Sequence, residues 1–212
     1  MKVKNLSLLQ GKKVVIDGAV GDLEVKVNEP LNGLDSIGCL IIAHPHPMQG
    51  GTMDNKVVHT LARAGLASNY AALRFNFRGV GASGGDFDNG IGEVSDMLKV
   101  TEYATNSLHY QNIVLAGFSF GGAIAARVAR DRSCKGLILV APAVDRYAIG
   151  DVSNNLLVIH GDQDDVVPLP SVLSWGKSQK IPITVFPGAG HFFHGILLPL
   201  QNLVKHFLLG LK

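Results

Sequence analysis

The chain predicts an α/β fold in which a mostly parallel, twisted sheet of about eight strands carries helices on both faces and no large cap. Three observations lead there. Apolar runs of strand length recur at Ile37 to Ala43, Ala71 to Phe77, Ile113 to Ala116, Gly136 to Val140, Leu156 to His160 and Ile183 to Phe186, and helix-like segments separate most of them. These runs are continuous rather than alternating, as strands buried on both faces require. Residues able to do chemistry fall just past the strand ends, which is where open α/β sheets bind ligands.

Taken in order, Val14 to Asp17 and the alternating Leu23 to Val27 read as an antiparallel ribbon, joined by the glycine-bearing turn at Gly18 to Gly21. After the strand at Ile37 to Ala43, the residues Thr52, Asp54 and Asn55 offer caps for a helix over Lys56 to Ala67. Ala71 to Phe77 is the next strand. Gly79 to Gly92 is glycine-rich, with Gly81 to Gly90 mobile by composition, and a helix over Glu93 to Asn106 leads into the strand at Ile113. Ala123 to Ala129 reads as a helix. Residues 141 to 155 separate two strands, too short a stretch for a large cap. The last helix is expected from near Pro199, burying Leu200, Leu203, Val204, Phe207 and Leu208.

A length of 212 residues suits one domain, against a usual range of about 100–200 residues per domain. The composition is 47% hydrophobic with a net charge of +2, so no nucleic-acid or anionic-membrane partner is expected. Lys2, Lys4, Lys12 and Lys13 read as a solvated edge. There is no uninterrupted apolar signal segment and no run near the ~18 apolar residues of a membrane span, so a cytoplasmic protein is expected. Cys39 and Cys134 lie in or beside apolar strands and read as buried thiols rather than nucleophiles.

The segment richest in information is Gly117-Phe118-Ser119-Phe120-Gly121, between the strand at Ile113 and the helix at Ala123. Strand, tight turn and helix follow one another. A serine at such a turn takes a strained backbone conformation, and glycines two residues to either side let strand and helix approach while Oγ stands exposed. Downstream, the strand ending at His160 gives way to Gly161-Asp162-Gln163-Asp164-Asp165, and that ending at Phe186 to Pro187-Gly188-Ala189-Gly190-His191. Serine, acid and histidine therefore follow in the order expected of an α/β-hydrolase triad.

With those residues placed, the whole chain resembles an α/β-hydrolase. The segments Ala43-His44-Pro45-His46-Pro47, Gly50 to Val58, and Arg74 to Ser83 are similar to a small lidless group of bacterial hydrolases with dienelactone-hydrolase-like and carboxylesterase-like relatives. The resemblance implies serine-hydrolase chemistry on esters. Dienelactone relatives use a cysteine nucleophile; the elbow here holds Ser119. The family pattern Gly-x-x-Asp-x-x-Val-Pro aligns Gly161, Asp164, Val167 and Pro168, which favours Asp164 over Asp165, with Asp162 read as a turn-forming acceptor. In similar proteins the Arg-Gly-x-Gly-x-Ser segment shapes a loop, so Arg74 and Arg78 are read as structural.

In this reading Ser119 attacks an acyl carbonyl, His191 carries the proton and Asp164 fixes the imidazole. His194 is the reserve histidine. His160 reads as a strand-end histidine bonded to backbone, and His59, His109 and His206 as residues without partners. Two backbone N–H donors are needed for the oxyanion: Phe120, following the nucleophile, and His46, the one residue of His44-Pro45-His46-Pro47 past the strand end that is not proline. Glu93 and Asp96 read as a solvated helix face or as partners of an arginine. The loop from Gly81 to Gly90 is placed to gate the site.

Two rival classes remain open. His44-x-His46 near aspartates imitates a metal site but lacks the adjacent Asp-His pair of binuclear hydrolases, and an α/β-hydrolase scaffold can serve as a silent binding protein. Within the enzyme class, thioester or acyl-peptide cleavage competes with oxyester cleavage. A lidless cleft beside Phe118, Phe120, Phe192 and Phe193 favours short-chain esters. No cofactor or metal is called for; the expected partner is a small ester, and a homodimer stays open.

Overall fold

A computed structural model describes residues 11–30, 35–152 and 155–211. Eight strands form one sheet: β1 (Lys12–Asp17), β2 (Asp22–Asn28), β3 (Cys39–Ala43), β4 (Ala71–Phe75), β5 (Ile113–Phe118), β6 (Gly136–Val140), β7 (Leu156–Gly161) and β8 (Thr184–Phe186). Their spatial order is β1-β2-β4-β3-β5-β6-β7-β8. The two N-terminal strands run antiparallel to each other and β2 runs antiparallel to β4, while β4, β3, β5, β6, β7 and β8 are parallel. The order turns back on itself around β3 and β5, and a crevice opens there at the carboxyl ends of the strands.

Both faces are covered. Helices α1 (Lys56–Ala67) and α5 (Leu197–Gly210) bury Val57, Leu61, Leu200, Val204 and Leu208 on Leu40, Ile42, Val114 and Ile138. On the other face α2 (Gly92–Glu102), α3 (Phe120–Asp131) and α4 (Leu169–Gln179) bring Met97, Val100, Ile124, Val128 and Val172 onto Ile41, Leu115, Leu137 and Leu139. Every residue of β3, β4, β5 and β6 is buried, which accounts for the continuous apolar runs.

Differences from the sequence reading have local causes. Helix α4 has no counterpart in it, because Pro168 and Pro170 crowd its start, Gly176 interrupts it and only Val172 and Gly176 are buried, so it carries almost no apolar stripe. Strand β4 stops at Phe75 rather than Phe77, since the Phe77 N–H leaves the ladder to donate to His44 Nε2. The helix expected to Asn106 is α-helical only to Glu102 and ends in a wider π turn over Tyr103–Ser107. The last helix starts at Leu197, with Pro199 inside its first turn. Among the described residues of the 141–155 connection there is neither helix nor strand, and its Tyr147 ring packs 4.9 Å from that of Phe120.

Lys12 and Lys13 are exposed on β1, while Lys2 and Lys4 lie outside the described residues. Cys39 is buried, whereas Cys134 is only half-buried. Among the described residues no helix is long and apolar enough to cross a membrane.

Candidate active site

Ser119 joins β5 to α3 with φ 55° and ψ −118°, a conformation that costs a residue bearing a Cβ about 1–3 kcal/mol. Neighbouring backbone holds it there. The Ser119 N–H donates to Val140 O, and Ser119 O accepts from the N–H groups of Gly122, Ala123 and Ala143. The flanking glycines are needed for space: a Cβ at Gly117 would stand 2.1 Å from Gly121 O, and one at Gly121 would stand 2.4 Å from Ala43 O and 2.5 Å from His44 O. Serine at a helix N-cap ordinarily accepts a bond from the first turn. Ser119 makes no such bond, and its Oγ is directed instead at a histidine.

That histidine is His191. Its Nε2 lies 3.0 Å from Ser119 Oγ, and its Nδ1 lies 2.8 Å from Asp164 Oδ2. A carboxylate can only accept, so Nδ1 carries the proton and Nε2 presents its lone pair to the serine hydroxyl. The other carboxylate oxygen, Asp164 Oδ1, accepts from the Val166 and Val167 N–H groups at 2.9 and 2.8 Å. Burial pushes the Asp164 carboxyl up, but the His191 hydrogen bond and the two backbone N–H groups outweigh it and hold the group below the usual carboxylate range. All three side chains are buried.

The structure therefore brings Ser119, Asp164 and His191 together and leaves the reserve residues apart. Asp165 is exposed, and His194 is exposed and stacked on Phe192. Asp162 accepts from the Gly188 N–H at 2.6 Å, tying the loop after β7 to the loop after β8. His160 is bonded to Val167 O at 2.9 Å. The backbone N–H clamp on Asp164 was not anticipated; the apolar pair Val166-Val167 gives no sequence signal of it.

Beside Ser119, the N-terminus of α3 abuts the end of β3, as the closeness of Gly121 to Ala43 and His44 requires. The Phe120 N–H belongs to the first helical residue and has no intrahelical acceptor, and the His46 N–H meets no acceptor among the described residues. Both residues flank the same crevice, with their rings 5.2 Å apart. A cleft of about 150 Å³ is lined by Pro45, His46, Gly51, Asn55, Ser119 and His191, among others.

His44 holds this loop from beneath. Its Nδ1 lies 2.6 Å from Pro45 O and its Nε2 accepts from the Phe77 N–H at 3.1 Å, so both ring nitrogens are committed to backbone. Neither is left to ligate a metal. Burial pushes its pKa down to about 4 against the pull of the Pro45 carbonyl, and the ring is neutral at pH 7.

Other surroundings correct the sequence reading. Phe193 is buried in the core with its ring 6.1 Å from Phe186 and does not wall the cleft, whereas Phe192 is exposed at its edge. Glu93 and Asp96 are buried rather than solvated, and the arginine pairing read as the alternative holds for Asp96. Asp96 pairs with Arg78 through both carboxylate oxygens, and Glu93 accepts from the Asp88 and Gly90 N–H groups. Arg127 and Arg78 donate to Gly90 O and Gly92 O. The glycine-rich segment is thus tied at several points, and its Phe87 ring rests 4.8 Å from that of His46. His59 does have partners, in Asp54 and the buried Arg74.

A lidless, mostly parallel eight-stranded sheet with a strained serine between strand and helix defines an α/β serine hydrolase. More particularly, the chain belongs to the hydrolase family described as serine aminopeptidase, S33, whose model matches residues 37–149. It is similar to an α/β serine hydrolase homologue of Coxiella burnetii, with 42% identity, a TM-score of 0.87 and coverage of 92% of this chain and 96% of that one. It is also similar to an α/β serine hydrolase without lid of Xanthomonas campestris, with 36% identity, a TM-score of 0.88 and coverage of 93% of each chain. An uncharacterised protein of Rickettsia prowazekii is 35% identical over an alignment of 187 residues that covers 81% of this chain and 79% of that protein.

Proposed function

We propose that the protein cleaves short-chain carboxylic esters through an acyl-enzyme on Ser119. The observation that carries this reading is the hydrogen-bonded series Ser119 Oγ, His191 Nε2, His191 Nδ1 and Asp164 Oδ2, built on an N-cap serine that caps nothing. Ser119 Oγ attacks the acyl carbon as His191 Nε2 takes its proton, and the imidazolium is stabilised by the Asp164 carboxylate. The carbonyl oxygen becomes an oxyanion, received by the Phe120 and His46 N–H groups and favoured by the positive end of α3. Collapse expels the alcohol with the proton from His191; water then repeats the sequence on the acyl-enzyme and releases the acid.

The size of the cleft supports a short acyl group. About 150 Å³ is small beside the ~300–1,000 Å³ of drug-sized ligand pockets. Aminopeptidase action, which the family description names, needs a carboxylate to receive the substrate's α-ammonium group. Among the cleft's described lining residues there is none, Asp164 being committed beneath His191. With p-nitrophenyl esters, kcat/KM is expected to be greatest for acyl chains of about two to four carbons and to fall beyond about eight. A rise beyond eight carbons would overturn the short-chain assignment, and preference for amino-acyl p-nitroanilides would overturn the ester.

The second oxyanion donor has its own test. His46 has φ −51°, within the range proline adopts, so His46→Pro deletes the N–H with little demand on the backbone. It is expected to lower kcat about 10²–10³-fold. His46→Ala, which loses the ring and keeps the N–H, is expected to be much milder. Equal losses in the two variants would assign the effect to the ring.

A further inference from the structure

His160 is the penultimate residue of β7, has no solvent exposure and sits beneath the loop that carries Asp164. A packed apolar side chain would fill such a place more cheaply than an imidazole, because a buried polar atom lacking a partner costs free energy. His160 carries that cost: its Nδ1 is buried and has no hydrogen-bond partner among the described residues. Its Nε2 lies 2.9 Å from Val167 O. A carbonyl only accepts, so Nε2 bears the proton and Nδ1 the unshared pair, and the tautomer is thereby fixed. The ring is opposite in tautomer to His191, whose proton sits on Nδ1.

Val167 is held at both ends. Its C=O accepts from His160 Nε2, and its N–H donates to Asp164 Oδ1 at 2.8 Å. Pro168 follows and brings no N–H of its own to the turn. The same His160 Nε2 stands 3.6 Å from Asp164 Oδ2, the oxygen that receives His191 Nδ1–H. That separation is too long for a second hydrogen bond, but it places the positive end of the N–H dipole beside the carboxylate. The residue thus faces the acid through a geometry that a merely space-filling side chain would not reproduce.

Resting on the proposed hydrolase reading, we infer that His160 is a positioning residue: as the neutral Nε2–H tautomer it anchors Val167 and so fixes the Asp164 carboxylate that orients His191. It touches neither substrate nor the reacting atoms. It acts through Val167 and Asp164, and its burial keeps it uncharged when His191 becomes imidazolium, since a second cation beside Asp164 would compete for the same carboxylate.

The test separates the donor from the volume it fills. His160→Leu keeps an apolar core residue and loses the donor; His160→Gln can place an amide N–H near the position of Nε2; His160→Asn is polar but too short to reach it. Phosphonylation by a fluorophosphonate, with wild type and Ser119→Ala alongside, reads nucleophile activation directly. His160→Leu and His160→Asn are expected to react about 10–30-fold more slowly, in the range set by leaving a buried carbonyl such as that of Val167 unpaired, with kcat for a p-nitrophenyl ester reduced in proportion and KM little changed. His160→Gln is expected to recover most of the rate. In the wild-type protein, ¹⁵N chemical shifts should report His160 as the Nε2–H tautomer, and the His191 Nδ1–H proton resonance should move upfield in His160→Asn and return in His160→Gln.

The inference is overturned if His160→Leu or His160→Asn reacts within about threefold of wild type, if Gln is as impaired as Asn, or if the wild-type ring is the Nδ1–H tautomer. The tautomer measurement needs no variant to fold. A wild type that does not react with the fluorophosphonate at all would instead count against the hydrolase reading, so the two failures are distinct.

Discussion

Ser119→Ala is expected to lose ester hydrolysis by about 10³-fold or more and to form no fluorophosphonate adduct, while wild type gains one adduct by intact mass. The change removes one atom whose single hydrogen bond runs to His191. Alanine also bears a Cβ, so the strain at φ 55° is the same in both proteins, and the backbone bonds at Val140, Gly122, Ala123 and Ala143 are untouched. Stability should therefore change by less than about 1 kcal/mol, which urea titration can verify. Loss of labelling with unchanged stability would assign the activated nucleophile to this side chain. Labelling of Ser119→Ala at the wild-type rate would place it elsewhere, and an unlabelled wild type would favour a silent scaffold that keeps the geometry without the reaction.

The strands of the parallel sheet were legible, though not their order across it, because burial on both faces leaves so clear a mark: Ile37 to Ala43 and Leu156 to His160 have no polar alternation to confuse with an edge strand or an amphipathic helix. Helix α4 was not legible for the converse reason. It packs on the sheet with Leu173, Ser174 and Lys177 exposed and only Val172 and Gly176 buried, and two positions are too few to mark a period of 3.6. Helix α2 misled in another way. Its Glu93 and Asp96 fit a solvated face as well as an arginine pair, since charge alone does not reveal that Arg78 receives Asp96 and that backbone N–H groups receive Glu93. For the same reason a glycine-rich loop that composition marks as mobile is tied down by carboxylates lying outside it.

At the candidate site, local chain geometry was legible and cross-chain geometry was not. The glycine spacing around Ser119 follows from steric exclusion within five residues, so it could be read directly. Asp164 was preferred to Asp165 on the family pattern and His191 to His194, and the structure agrees, but what decides both is which side chain faces the sheet after a turn. One residue's shift reverses that facing. Likewise the partners of His59 lie in another strand and in the loop before α1, and the commitment of both His44 nitrogens depends on Phe77, beyond reach of any local pattern.

Asp164→Asn is expected to lower kcat about 10⁴-fold with little loss of stability. The reason is the orientation that the turn imposes on the new amide. The Val166 and Val167 N–H groups donate to Oδ1, so the asparagine must turn its carbonyl oxygen toward them and its NH₂ toward His191. Facing a donor, His191 Nδ1 must accept, and the ring proton moves to Nε2. There it points at Ser119 Oγ, and the lone pair that would take the serine proton is gone. Geometry is kept while the base is lost, so KM should change far less than kcat. Asp165→Asn, on an exposed residue of the same turn, is expected to stay within about threefold of wild type. Comparable losses in both variants would transfer the effect from the tautomer of His191 to the charge of the loop, and a mild Asp164→Asn would remove the aspartate from the mechanism altogether.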